Sequence, residues 1–231
     1  MGMNNSNGFR WKEADAYLFD IDGTLLLSKD RTHRYALHRA MLDVYGVETT
    51  IDGIAYHGKT DVGILRAALE RAGVTTSLIN QRMPEALEVV RRDASEKAER
   101  FSPNVLPGIR DVLDLLRGSG KLLGVASGNL ELLGWLKLKA AGLKDYFAFG
   151  RFADHWEMRD DIFRAAVAEA RTRLGPDAKV CFVGDTPDDV RAARSAGGQV
   201  IAVGTGIFKV EDLAGHGPDA LISCCNDLLT L

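Results

Sequence analysis

Short apolar runs that stop at a polar or acidic residue punctuate the chain. Ala16-Tyr17-Leu18-Phe19 ends at Asp20, residues 122–126 end at Ser127, residues 180–183 end at Gly184-Asp185, and residues 200–203 end at Gly204. Ala220-Leu221-Ile222 is a shorter run of the same kind. Runs of this length bounded by turn residues read as buried strands of a parallel sheet. Helical periods separate them over residues 109–117, 130–141, 162–174 and 187–196. This alternation predicts an α/β fold, a doubly wound parallel sheet with helices on both faces. Ligands of such sheets sit beyond the carboxyl ends of the strands. Asp20, Ser127 and Asp185 all fall there.

Residues 29–101 break the rhythm. Ala36, Leu37, Ala40, Met41 and Val44 follow a helical period, as do Ile64, Leu65, Ala68 and Leu69, and then Met83, Leu87, Val90 and Ala94. The segment reads as a helical insert after the first strand, between two parts of one core, residues 1–28 and 102–231. Ser102-Pro103-Asn104 reads as the return linker and Pro107-Gly108 as a helix start. The opening, MGMNNSNGFR, is polar and carries no apolar signal segment. Residues 1–13 read as a flexible tail.

Composition narrows the classes. The 231 residues are 46% hydrophobic and 26% charged, with a formal charge of −3. That suits a globular protein with a real core and argues against a nucleic-acid-binding face. No apolar run is long enough to span a membrane. The three cysteines, Cys181, Cys224 and Cys225, have neither zinc spacing nor the number for a disulfide framework. A reducing, cytoplasmic setting is expected.

Three loops carry candidate chemistry. Asp20-Ile21-Asp22-Gly23-Thr24 follows the first strand and sets two carboxylates two residues apart. One suits a nucleophile or metal ligand, the other a general acid. A surface Asp-X-Asp-Gly turn is the bland alternative, and the strand-end position weighs against it. Gly184-Asp185-Thr186-Pro187-Asp188-Asp189 supplies hard oxygen donors for a cation such as Mg²⁺. Part of it also fits a helix cap, with Thr186 as N-cap, Pro187 at the first turn and Asp189 closing a capping box. Ser127-Gly128-Asn129, before a helix, suits an anion, although the tripeptide alone is a common turn.

Together and in this order, these loops resemble the haloacid dehalogenase superfamily, in its phosphoglycolate phosphatase-like branch. The resemblance covers the chain from about residue 14 and includes the helical cap, where HGKTDVGIL (57–65) is similar to a segment seen in that branch. It implies a Rossmann-like core and a Mg²⁺-dependent phosphatase acting on a small phosphorylated metabolite through an aspartyl phosphate. Asp20 would be the nucleophile, Asp22 the acid and base, and Ser127 a phosphate ligand. Asp20, Asp185 and the backbone carbonyl of Asp22 would hold the metal. Gly23, Thr24, Gly128 and Asn129 of the core, with Lys59 and Thr60 of the cap, are the substrate-binding candidates. The family's third motif is usually a lysine, and residues 151–163 contain none. Arg159 is the best substitute, with Arg151 next. A monomer or homodimer is expected.

Three other readings compete. A sugar-phosphate mutase would use the same motifs. Gly53 to Thr60 matches the phosphate-loop pattern GxxxxGK[ST], although the polar residues before it make a poor strand. A decayed, non-catalytic binding module would not need Asp20, Asp22 and Asp185 intact.

Overall fold

The computed structural model describes residues 9–230. Its strands are β1 (Ala16–Phe19), β2 (Leu26–Ser28), β3 (Pro103–Val105), β4 (Leu122–Ala126), β5 (Phe149–Arg151), β6 (Val180–Gly184), β7 (Gln199–Val203) and β8 (Ala220–Ile222). The helices are α1 (Thr32–Tyr45), α2 (Asp61–Arg71), α3 (Thr76–Glu96), α4 (Ile109–Gly118), α5 (Glu131–Ala140), α6 (Arg159–Leu174), α7 (Pro187–Ser195), α8 (Val210–Ala214) and α9 (Asn226–Leu229). Six parallel strands form the sheet, in the order β5-β4-β1-β6-β7-β8.

The two-residue period of β1 explains the layering. Ala16 and Leu18 point into one apolar layer, Tyr17 and Phe19 into the other. On the first face Phe163 of α6 stacks on Phe182 of β6, with ring centroids 4.4 Å apart. On the second, Ile109, Val112, Leu113 and Leu116 present the apolar stripe of α4. Each such side chain, fully buried, stabilises the fold by about 1.5–3 kcal/mol. Phe19 lies level with Val125 of β4 and Val183 of β6, so the three neighbouring strands end together. That register brings Asp20, Ser127 and Asp185 to one edge.

Several expectations need correction. Residues 9–13 are not part of a flexible tail. Phe9 and Trp11 are buried, Trp11 meets Tyr17 edge-on at 6.2 Å, and the Tyr17 hydroxyl donates to the Trp11 carbonyl. The rest of that expectation, residues 1–8, lies outside the described residues. Pro103 and Asn104 of the segment read as a linker, Ser102-Pro103-Asn104, belong to β3, which pairs antiparallel with β2. Both are three-residue strands, too short for a two-residue period to declare itself. Gly53 to Thr60 is a loop between α1 and α2 with no strand before it, so it has not the strand-loop-helix setting of a nucleotide-binding loop.

Helices α1, α2 and α3 lie between β2 and β3 and pack on one another. Gly46, left-handed at φ 66°, ends α1, and Thr60 caps α2 by accepting the Gly63 amide. None of the described helices is long and apolar enough to cross a membrane.

Candidate active site

Asp20 leaves β1 almost fully buried. The chain then reverses at Gly23, whose φ of 88° favours glycine and whose missing side chain leaves room for the Asp185 carboxylate. Gly206, which sequence reasoning passed over, crowds the same carboxylate: a Cβ there would overlap it. The fully buried Thr24 donates its hydroxyl to Asp185 Oδ1 at 3.0 Å. Thr24 therefore orients Asp185 and does not line the cavity, which corrects its place among the substrate-binding candidates.

Arg159 opens α6 and is 5% exposed. Its Nη2 lies 2.9 Å from Asp20 Oδ1, and its Nε donates to Asp189 Oδ1 at 2.9 Å. The other oxygen of Asp189 accepts from the Thr186 amide and hydroxyl, completing the capping box of α7. Arg151 lies elsewhere and pairs with Glu169 at 2.7 Å. Of the two arginine candidates, Arg159 is the one at the acidic loops.

Asp20, Asp185 and Asp189 bring carboxylate oxygens within 4.8 Å of one another. Burial pushes the Asp20 carboxyl up to about 6; Arg159 opposes that rise, while Asp189 and Asp22 add to it. Burial, with Asp189 and Asp20 beside it, also raises Asp185 well above the usual carboxylate range. Three crowded carboxylates against one guanidinium lack positive charge, and the donors are all hard oxygens. Such a set fits a divalent cation. Asp189 is already committed to Arg159 and the helix cap, so Asp20 and Asp185 have carboxylate oxygens to give. The Asp22 side chain is not in this cluster.

It faces a second network instead. Asp22 Oδ2 accepts from Lys137 Nζ at 2.6 Å and Asn129 Nδ2 at 2.8 Å. Asn129 also donates to Ser127 Oγ at 2.8 Å and accepts from Lys137 at 2.8 Å. Burial alone would raise the Asp22 carboxyl, but the Lys137 ammonium wins and holds it below the usual range. Sequence reasoning missed Lys137. Its signal was a lysine four residues after Leu133, on the buried side of α5.

A cavity of about 430 Å³ opens over both networks. The core lines it with Asp20, Asp22, Gly23, Ser127, Gly128 and Asn129; the insert adds Tyr56, His57 and Lys59. Lys59 Nζ lies 2.8 Å from Asp188 Oδ2 at the rim. Thr60 does not reach the cavity. It is buried, caps α2 and donates to the Glu157 carbonyl at 2.7 Å, which corrects its reading as a substrate ligand. The insert is fastened across the cavity by further polar bonds. Arg66 forks onto Glu157 at 2.5 and 2.9 Å, Arg91 meets Asp154 at 2.9 Å, and Asp61 Oδ2 accepts the Leu130 amide at 2.8 Å.

The family profile of haloacid dehalogenase-like hydrolases matches residues 14–197. The chain belongs to this family. Among curated proteins it is 28% identical to a phosphoglycolate phosphatase of Synechococcus elongatus, over 93% of this chain and 95% of that one. It is 27% identical to the pyrophosphatase PpaX of Bacillus velezensis, over 94% and 96%. Among solved structures, a protein of Haemophilus somnus described as a predicted phosphoglycolate phosphatase shares the fold. It has a TM-score of 0.69 and 20% identity, covering 94% of this chain and 97% of that one. Family and relatives together make this hydrolase an enzyme of phosphatase type.

Proposed function

We propose that the enzyme hydrolyses a small phosphomonoester through an aspartyl phosphate on Asp20. The observation that carries this reading is the buried Asp20 carboxylate at the floor of the cavity, 2.9 Å from Arg159, with Asp185 beside it and Asp22 two residues on. Mg²⁺, held by the Asp20 and Asp185 carboxylates and the Asp22 backbone carbonyl, would supply charge neutralisation between nucleophile and phosphoryl group. Asp20 attacks phosphorus in line, and the ester bond to the leaving oxygen breaks. Asp22, ionised beside the Lys137 ammonium, takes up the proton that a monoanionic ester carries into the cavity and delivers it to that oxygen; as a carboxylate again, it takes one from the water that cleaves the acyl phosphate. Ser127, the Asp22 amide and Arg159 hold the phosphoryl oxygens, so stabilisation is largely electrostatic. Residues 29–101 act as a cap over the core that the chain builds before residue 29 and from residue 102 on, of which residues 9–28 and 102–230 are described. Lys59 and Gly128 contact the substrate, and closure excludes water. The mutase alternative is not favoured, because a phosphoglycolate phosphatase and a pyrophosphatase are among the curated relatives that match most of the chain. A reducing cytoplasm suits the free thiols Cys181, Cys224 and Cys225.

The test is Mg²⁺-dependent turnover of 4-nitrophenyl phosphate, then a panel of phosphorylated metabolites. Asp20→Asn should abolish it. Retention of more than about a tenth of the wild-type rate, a barrier change under ~1.4 kcal/mol, would exclude covalent catalysis at Asp20.

A further inference from the structure

Lys137 is a buried charge that the family motifs do not use. It sits in the last turn of α5, 2% exposed. A favourable position at a helix C-terminus does not account for its burial, since Lys139 occupies the same turn and stays in solvent. Taking an ammonium out of water is unfavourable by several kcal/mol unless partners replace the water. The partners here are Asp22 Oδ2 and Asn129 Oδ1, at 2.6 and 2.8 Å. The second contact fixes which way the Asn129 amide faces. With its oxygen held by Lys137, its nitrogen turns to Asp22 Oδ2 and Ser127 Oγ. Both donors therefore meet the same oxygen of Asp22. Among the described residues no donor meets Oδ1, and the Asp22 side chain is 43% exposed and lines the cavity.

We propose that Lys137 is a positioning residue that clamps Asp22 by Oδ2, directly and through Asn129, so that Oδ1 is the atom that exchanges the proton with the leaving oxygen. The inference rests on the proposed role of Asp22. It assigns to a helix outside the motif loops the task of aiming the general acid. A carboxylate free to rotate about its Cβ–Cγ bond would present either oxygen at varying distance. Proton delivery needs one within hydrogen-bond reach of the ester oxygen.

The test compares kcat/KM for an alkyl phosphate, glycerol 2-phosphate, with that for 4-nitrophenyl phosphate, under saturating Mg²⁺. In an enzyme with a covalent intermediate, kcat/KM reports the steps through departure of the first leaving group. An alkoxide needs the proton and a nitrophenolate does not. Lys137→Met removes the clamp at similar volume. Both values should fall, the alkyl value by about tenfold or more beyond the aryl value, the lower part of the range for general acid catalysis. In an Asp22→Asn background the same substitution should leave the alkyl-to-aryl ratio within about threefold, because a residue acting through Asp22 has nothing left to aim. If Lys137→Met does not fold, Lys137→Gln, a neutral donor of shorter reach, is read by the same criteria. Equal losses on both esters, or an undiminished effect in the Asp22→Asn background, would overturn the proposal while leaving the phosphatase reading intact. A wild-type protein inert on both esters would overturn that reading and the inference with it.

Discussion

Arg159→Ala perturbs the site most directly. The guanidinium is 5% exposed and stands between Asp20 and Asp189. Removing one partner from a buried ion pair costs about 3–5 kcal/mol, since the remaining charge is left without compensation. At about 2–4 °C per kcal/mol for a chain of this size, the melting temperature should fall by roughly 6–20 °C. The catalytic loss is separate. Two charge-assisted bonds to a phosphoryl group, at about 1.5–3 kcal/mol each, correspond to roughly 10²–10⁴-fold in kcat/KM. Arg159→Lys keeps the charge but cannot reach Asp20, Asp189 and the Gly58 carbonyl at once, as the three guanidinium nitrogens do. It should recover part of both losses. Arg151→Ala removes a partly exposed pair with Glu169, worth about 0.2–1 kcal/mol, and should change melting by no more than about 4 °C. Differential scanning calorimetry and steady-state turnover of 4-nitrophenyl phosphate read the two effects. An Arg159→Ala protein that melts within about 2 °C of wild type, or a larger activity loss in Arg151→Ala, would refute the assignment.

Mg²⁺ at 100 times its Kd should stabilise the protein by about 2.7 kcal/mol, visible as a rise in melting temperature that EDTA reverses. Asp185→Asn should abolish that rise, and an undiminished rise would place the metal elsewhere. Arg66→Ala breaks the fork to Glu157 and should raise KM more than it lowers kcat, because the cap is then held less firmly over the substrate. An unchanged KM would mean that this fork does not hold the closed state. Burial pushes the thiols of Cys181 and Cys225 up, Cys225 to about 12. Ellman's reagent should therefore titrate one thiol, the half-buried Cys224, in the native protein and three after unfolding. Three rapid equivalents without denaturant would contradict the packing around β6 and α9.

The sheet was legible because its strands are buried on both faces. An apolar run of four or five residues that stops at Asp20, Ser127 or Asp185 has little else to be, and those stops mark the site. The strands β2, β3 and β5 were not legible. Each has three residues, and Pro103 and Gly150 within them argue against a strand on local propensity. Their pairing comes from tertiary neighbours. Asp20 and Asp185 stood out as candidate chemistry because acids where buried strands end have few structural reasons to be there, whereas Arg159 was singled out only through the family resemblance, as the substitute for a missing lysine. Thr24 and Thr60 misled for a related cause. A hydroxyl beside a catalytic loop looks the same in sequence whether it faces substrate or, as here, fixes Asp185 or caps α2. Lys137 lay out of reach because a lysine in a helix is ordinarily solvated, and only the packing of α5 shows its ammonium to be buried.

The same geometry explains how one small loop can hold two carboxylates in opposed surroundings. Asp20 and Asp22 are two residues apart, yet their surroundings separate them. Asp20 shares its pocket with Asp185 and Asp189 and, among the described residues, has Arg159 alone to offset them, which leaves the cluster short of positive charge. Asp22 is turned to the opposite wall, where Lys137 and Asn129 satisfy one of its oxygens. Gly23 makes the separation possible. Its positive φ turns the chain directly after Asp22, and its missing Cβ admits Asp185 on the Asp20 side. An alanine at residue 23 would be strained at φ 88° and would push against the Asp185 carboxylate, moving that carboxylate and the turn after Asp22 together. Asp20 and Asp22 thus depend on one turn for their different surroundings. The turn itself is fixed by the Thr205 hydroxyl, which donates to the Gly23 carbonyl at 2.6 Å from the loop after β7.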